Sequence, residues 1–297
     1  MHVAFQTEDI TLHAGKEFDL VEPSLLKRHP LLTAAVSKLQ WAQRHRAGLQ
    51  SNIESFFASP EGRTTLRAKF DSDSGYHSFS VQSLPLICEF EDFFTNSVAD
   101  IAGALRAALD KLAWMSACDF AASGEPAKPT AVKFPMIDDP GKWSDVGGAQ
   151  SQLDPLHRDF IKGFQPYQGI NGWADSWHGP YLHQLTLLRE MSNDDKHRET
   201  QPIMLVQANF GLTRSDIAKG VGIYGYDWMF PSLGKSMQEN LEMLRVRFVE
   251  SAEPEIENAG IATPEVTLPE GRRAIQTLDR LERFVHLILS EFSRQFP

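Results

Sequence analysis

The sequence predicts an α+β protein, a helical bundle of about four helices with a small antiparallel sheet. Three observations carry this expectation. Apolar residues recur at helical spacing in several runs, the clearest being NSVADIAGALRAALDKLAW from Asn96 to Trp114. A period-two alternation around an Asp-Ser-Asp-Ser-Gly turn reads as a hairpin over 65–82. The βαβ alternation of a doubly wound fold does not occur.

Weak alternation at Val3 and Phe5 opens the chain, and Pro23 and Pro30 punctuate the entry to a helix expected from Leu31 to about Leu49. Leu32, Val36, Leu39 and Ala42 give that helix its apolar stripe. Arg44, His45 and Arg46 suit the negative end of its dipole and read as solvated or capping residues, with a phosphate contact as the alternative. In the hairpin, Leu66, Ala68 and Phe70 share one side, and Tyr76, Phe79 and Val81 follow the turn. Ser97 and Asp100 form a Ser-x-x-Asp capping box for the next helix, expected to run to about Cys118. Ile101, Leu105, Ala108, Leu109 and Leu112 supply its buried face, while Ala102, Gly103, Ala104 and Ala107 admit close neighbours.

A stretch rich in Gly, Pro, Asp and Ser follows Ser123 and is broken only by the apolar Val132-Lys133-Phe134-Pro135. It opens a long irregular excursion over about 123–178, of a length usually associated with covering, binding or linking. Phe160, Phe164, Tyr167, Trp173 and Trp177 make its later part aromatic, and they read as apolar fill more readily than as a base-stacking surface. Gly179-Pro180 can start another helix through Leu182, Leu185, Leu188 and Met191, which Pro202 stops. Strands are expected at Ile203 to Ala208 and Leu244 to Val249. An amphipathic helix from Gly271 to about Phe292 closes the chain. No repeat and no linker composition is visible, so residues 1–297 read as a single main domain.

Composition narrows the function classes. The formal charge of -10 disfavours broad phosphate-backbone binding, and Cys88 and Cys118 alone form neither a disulfide framework nor a zinc site. The first twenty residues lack the pattern of a secretory signal and no run is apolar enough to span a bilayer, and with the sparse cysteines fitting a reducing compartment the expectation is a cytoplasmic protein away from membranes. There is no GxxxxGK[ST], GxGxxG or GxSxG motif, and His178, His183 and His197 lack the spacing of a metal site. No cofactor and no metal ligand set is assigned.

The polar residues suggest one cluster. Arg106 and Asp110 stand one helical turn apart in an otherwise small and apolar stretch, so each calls for a tertiary partner. The later NDDKHR run, residues 193–198, offers one. If it is helical, Asn193 and His197 share a face, as do Asp194 and Arg198. Two roles compete: a structural network pinning helices together, or a general acid or base at His197 oriented by Asp194 or Asp195, with Lys196, Arg198 or Arg106 stabilising an anion.

LRAALDKLAW at 105–114, FPMIDD at 134–139, FQPYQG at 164–169 and NDDKHR together resemble a family of uncharacterised bacterial cytoplasmic proteins in which LRxxLDxLxW, FPI, QPY and DKHR recur in that order. The match spans about a third of the chain and implies no activity. Lys111 departs from it, standing where the family usually has His. The helical part also resembles the HEPN superfamily of small helical bundles, many of them metal-independent ribonucleases that place an Arg and a His four to six residues apart at a dimer interface. Arg280 and His286 meet that spacing, whereas Arg189 and His197 exceed it. Leu281 stands where a second polar residue is expected, which separates a shared architecture from shared catalysis.

The sequence is therefore read as a binding or regulatory protein with a structural polar cluster between helices, a homodimer being a possible assembly. The alternative is an HEPN-like ribonuclease. In that case His197 or His286 acts as acid or base, Arg106, Arg198 or Arg280 contacts phosphate, Asp110 and Asp195 complete the cluster, and RNA is the partner.

Overall fold

A computed structural model describes residues 20–59, 64–83, 88–146, 151–168, 184–197, 204–211, 223–228, 242–248, 259–268 and 272–297. The chain divides into two compact units. One comprises 1–46, 99–199 and 278–297, the other 47–98 and 200–277. Each is assembled from separated segments, and the boundaries at 46/47, 98/99 and 277/278 fall inside helices. A boundary of that kind leaves no linker composition in the sequence.

Six helices are described: α1 Pro23–Leu26, α2 Thr33–Ala58, α3 Cys88–Phe120, α4 Pro155–Gly163, α5 Gln184–His197 and α6 Ala274–Gln295. In α3, Ile101, Ala102, Leu105, Ala108, Leu109, Leu112 and Ala113 are all fully buried. A face this wide requires neighbours on more than one side, and the alanines let their backbones approach. The stripe of α6, from Leu278 through Leu281, Val285, Ile288 and Leu289 to Phe292, is buried too. Enclosing each such leucine or isoleucine stabilises by about 2 kcal/mol, so these two helices dominate the core of the first unit.

The expected start of α3 is corrected. The helix begins at Cys88, so Ser97 lies within it, and its hydroxyl donates to the Phe93 carbonyl at 2.7 Å instead of capping. Back-bonding of this kind satisfies a serine inside a helix without any terminus nearby. The excursion also has structure of its own. Asp154 caps α4, its carboxylate accepting from the Leu156 N–H at 2.8 Å and the His157 N–H at 3.4 Å, and Pro155 occupies the first turn.

The expected fold class is corrected as well. The described residues are mostly helical, and the first unit, where the helical core lies, contains no strand among them. All strands fall in the second unit: β1 Thr64–Asp71, β2 Tyr76–Ser83, β3 Met204–Gly211, β4 Ile223–Trp228, β5 Glu242–Phe248, β6 Ala259–Leu268 and β7 Arg272–Arg273. They pair antiparallel in the order β3-β6-β1-β2-β5-β4, with β7 on β6, one seven-stranded sheet within the second unit in place of the expected small sheet. The turn between β1 and β2 is closed by the Asp71 carboxylate, which accepts from the Asp73 N–H and the Ser74 hydroxyl, and by Gly75 at a φ of 69°. Among the described residues no helix is long and apolar enough to cross a membrane.

Candidate functional site

Residues of the LRAALD, FPMIDD and FQPYQG motifs meet at one place in the first unit, the irregular segment 134–138. Phe134 is fully buried and Met136 and Ile137 nearly so, yet the segment belongs to no helix or strand. Buried backbone without secondary structure must find its hydrogen bonds elsewhere. Here side chains provide them.

From α3, the Asp110 carboxylate accepts the Phe134 N–H at 2.9 Å, and Arg106 donates through Nη2 to the Phe134 carbonyl at 2.9 Å. Arg106 Nε lies 3.3 Å from the Asp110 carboxylate, and Nη1 reaches the Met136 sulfur at 2.8 Å. The two residues together grip both polar groups of one peptide residue. Beyond α4, Gln165 is fully buried and bonded on both sides of its amide. Its Nε2 donates to the carbonyls of Pro135 and Ile161, each at 3.0 Å, while Oε1 accepts the Ile137 N–H at 3.0 Å. From α5, Arg189 donates to the Met136 carbonyl at 3.0 Å and pairs with Asp138 at 2.6 Å, and the Thr186 hydroxyl donates to the same carboxylate.

Two helices, α3 and α5, and the turn after α4 thus close on one irregular segment through five polar side chains. Within this chain the motifs serve one another: the FP-containing segment, buried without a sheet partner, has its backbone completed by the Arg, Asp and Gln. Sequence reasoning paired Arg106 with Asp110 but missed Gln165, Thr186, Arg189 and Asp138. Gln165 and Asp138 carried a signal, since they lie inside quoted motifs. Thr186 and Arg189 carried none beyond α5 itself.

The remaining predicted residues stand apart from this segment or beyond description. α5 extends to His197, but the side chains of residues 193–197, including Asp195 and His197, and all of Arg198 lie outside the described residues. The described partners of Arg106 and Asp110 are instead the backbone and sulfur of 134–136. His286 is buried on α6, and its Nε2 donates to the Val21 carbonyl at 2.8 Å, while Ser290, a turn further, accepts the Val21 N–H at 3.1 Å. Arg280 is half-buried on the same helix. A separation of six residues turns the two side chains about 120° apart around a helix, onto different faces. Arg46 is not a solvated cap: it meets Glu282 at 2.7 Å and Asp279 at 3.3 Å, with Gln43 donating to Glu282 at 3.2 Å. Among the described residues no three metal-ligating side chains gather.

A second buried polar pair had no sequence signal. On α4, His157 Nδ1 lies 2.7 Å from the Ser116 hydroxyl of α3, which is fully buried. The imidazole is packed between Phe292 and Phe296, at ring-centroid distances of 4.8 and 4.5 Å, in a cluster with Phe160 and Phe164. Burial in this apolar setting holds His157 below its ordinary 6.5, against the opposing pull of the Asp154 and Asp119 carboxylates.

No protein-family model matches the chain, and no curated protein or solved structure is significantly similar to it.

Proposed function

We propose that this chain is a binding or regulatory protein in which the motif residues build a scaffold and carry out no reaction. One observation supports this above all: every nitrogen of the Arg106 guanidinium faces an internal partner, and Asp110 is committed to the Phe134 N–H and to Arg106. A phosphate-binding arginine needs donors free to meet its ligand, and a general base needs an oxygen or nitrogen within reach of a substrate proton. These side chains turn one donor from each guanidinium nitrogen, and the Asp110 carboxylate, toward the segment 134–136 and toward each other. The scaffold leaves the following residues outward, with Asp138 retaining 47% of its side-chain exposure and Asp139 through Lys142 exposed.

Cleavage of varied RNAs by the purified full chain tests the reading, alongside the His197→Ala and His286→Ala variants. The expected result is no cleavage above buffer by any of the three. Cleavage by the wild type that disappears in His197→Ala would establish the ribonuclease alternative in its place. The His286 version of that alternative has less support, because its ring nitrogen already serves Val21.

A further inference from the structure

The sheet of the second unit ends on two strands of unequal character. β4 closes one edge with six residues, among them Asp227, which stands opposite Arg245 of β5. β3 closes the other with eight, MLVQANFG, and holds neither a charged residue nor a proline. From Met204 to Gly211 it pairs with β6, and among the described residues it has no neighbour on its other side. In an antiparallel ladder every second residue turns its N–H and C=O away from the partner, so the outer side of β3 carries a row of backbone groups ready for a further strand.

Sheet edges that stay bare are guarded by lysine, proline, shortness or a bulge. β3 lacks the first three. Its single irregularity, the register shift between Gln207 and Asn209, lies where Gln207 meets Pro264 of β6. Pro264 has no N–H to give, so the shift answers to the strand inside the sheet.

We propose that β3 is a docking edge for the β3 of a second copy of this chain, the two strands pairing antiparallel about a two-fold axis so that one sheet runs through both copies. Charge selects this occupant. An edge made for an acidic or a basic peptide would carry the opposite sign, whereas an uncharged edge is complementary to itself. The chain carries a net charge of -10, so two copies repel in most orientations, but pairing through β3 sets no like charges directly across the new ladder. Closing the pair uses up both β3 edges, which limits the assembly to two chains, while Asp227 guards β4.

Sedimentation equilibrium of the full chain at about 100 μM and about 1 μM tests the pairing. The expected mass is that of two chains at the higher concentration, falling toward that of one at the lower. Gln207→Lys/Asn209→Lys puts like charges on the edge at two positions that are already polar. It should weaken association about tenfold or more while leaving the circular dichroism spectrum unchanged. A wild type that keeps the mass of one chain at about 100 μM, forms larger polymers, or carries a different polypeptide in place of its copy would overturn the proposal. So would a folded lysine variant that associates as the wild type does. If the variant does not fold, amide exchange of the wild type decides. Protection of residues 204–211 that rises about fivefold or more from the low to the high concentration supports pairing at β3. Protection there that is independent of concentration, in a chain that dimerises, overturns it.

Discussion

Asp110 accepts the Phe134 N–H at 2.9 Å while Arg106, one turn earlier on α3, donates to the carbonyl of the same residue at 2.9 Å. A helical Arg-Asp pair in this order contributes only a few tenths of a kcal/mol when it is exposed. Holding a buried peptide gives it a different weight, because each half of the pair fixes the other against the same backbone unit.

The Asp110→Ala change removes the acceptor of a buried N–H and the counter-charge of Arg106. It is expected to destabilise the protein by about 2 kcal/mol, read from urea unfolding at neutral pH. Combining it with Arg106→Ala should cost less than the sum of the two single changes, with a coupling of about 1 kcal/mol. Strict additivity would show that the two side chains act independently on the segment.

Gln165 is the stronger test of the same architecture, because it is fully buried and neutral, and no charge effect confounds its removal. Gln165→Leu keeps the volume and leaves the Ile137 N–H and the Pro135 carbonyl without their side-chain partner. Orphaning two such groups costs about 3 kcal/mol. A loss under about 1 kcal/mol in thermal or urea unfolding would mean that the segment finds other partners on relaxing.

What could be read from the sequence followed from periodicity, and what could not followed from its interruption. The apolar faces of α3 and α6 repeat at 3.6 residues without a break, so both helices were visible although their ends were not. α4 was hidden by its surroundings even though Asp154-Pro155 is an ordinary helix start. β6 illustrates the opposite difficulty. Pro264 argues against a central strand, yet β6 lies between β3 and β1, and Pro264 stands opposite Gln207 at the point where the register shifts. A bulge tolerates a residue that cannot donate to the ladder. At the site, Arg106 and Asp110 stood out as charges among alanines, whereas their partner is backbone, which no residue identity reveals.

Ser97 separates two accounts of α3. As an N-cap its replacement by alanine would cost about 1 kcal/mol. As an interior residue bonded to the Phe93 carbonyl it competes with the helix, and alanine is the better helix former. Ser97→Ala is therefore expected to be neutral or to stabilise by up to about 0.5 kcal/mol, measured as the shift in urea midpoint at constant slope. Destabilisation by about 1 kcal/mol would restore the helix start to Ser97.

Acid sensitivity of the whole protein should trace in part to His157. Burial holds the folded imidazole below 6.5, so between the unfolded and folded values the unfolded chain binds the proton and the folded one does not. The stability associated with the neutral ring is fully present above 6.5 and is lost as the pH falls from there through the folded value. Carboxylates in ion pairs lose stability over a lower range, near the ordinary titration of acidic groups at about 4. Urea midpoints measured at about pH 7 and about pH 5.5 fall in the window where the histidine effect precedes the carboxylate one. His157→Phe removes the titrating group and leaves the aromatic packing against Phe292 and Phe296 in place. The variant's midpoint should consequently drop less between the two pH values than that of the wild type. An equal drop would assign the acid loss to other groups.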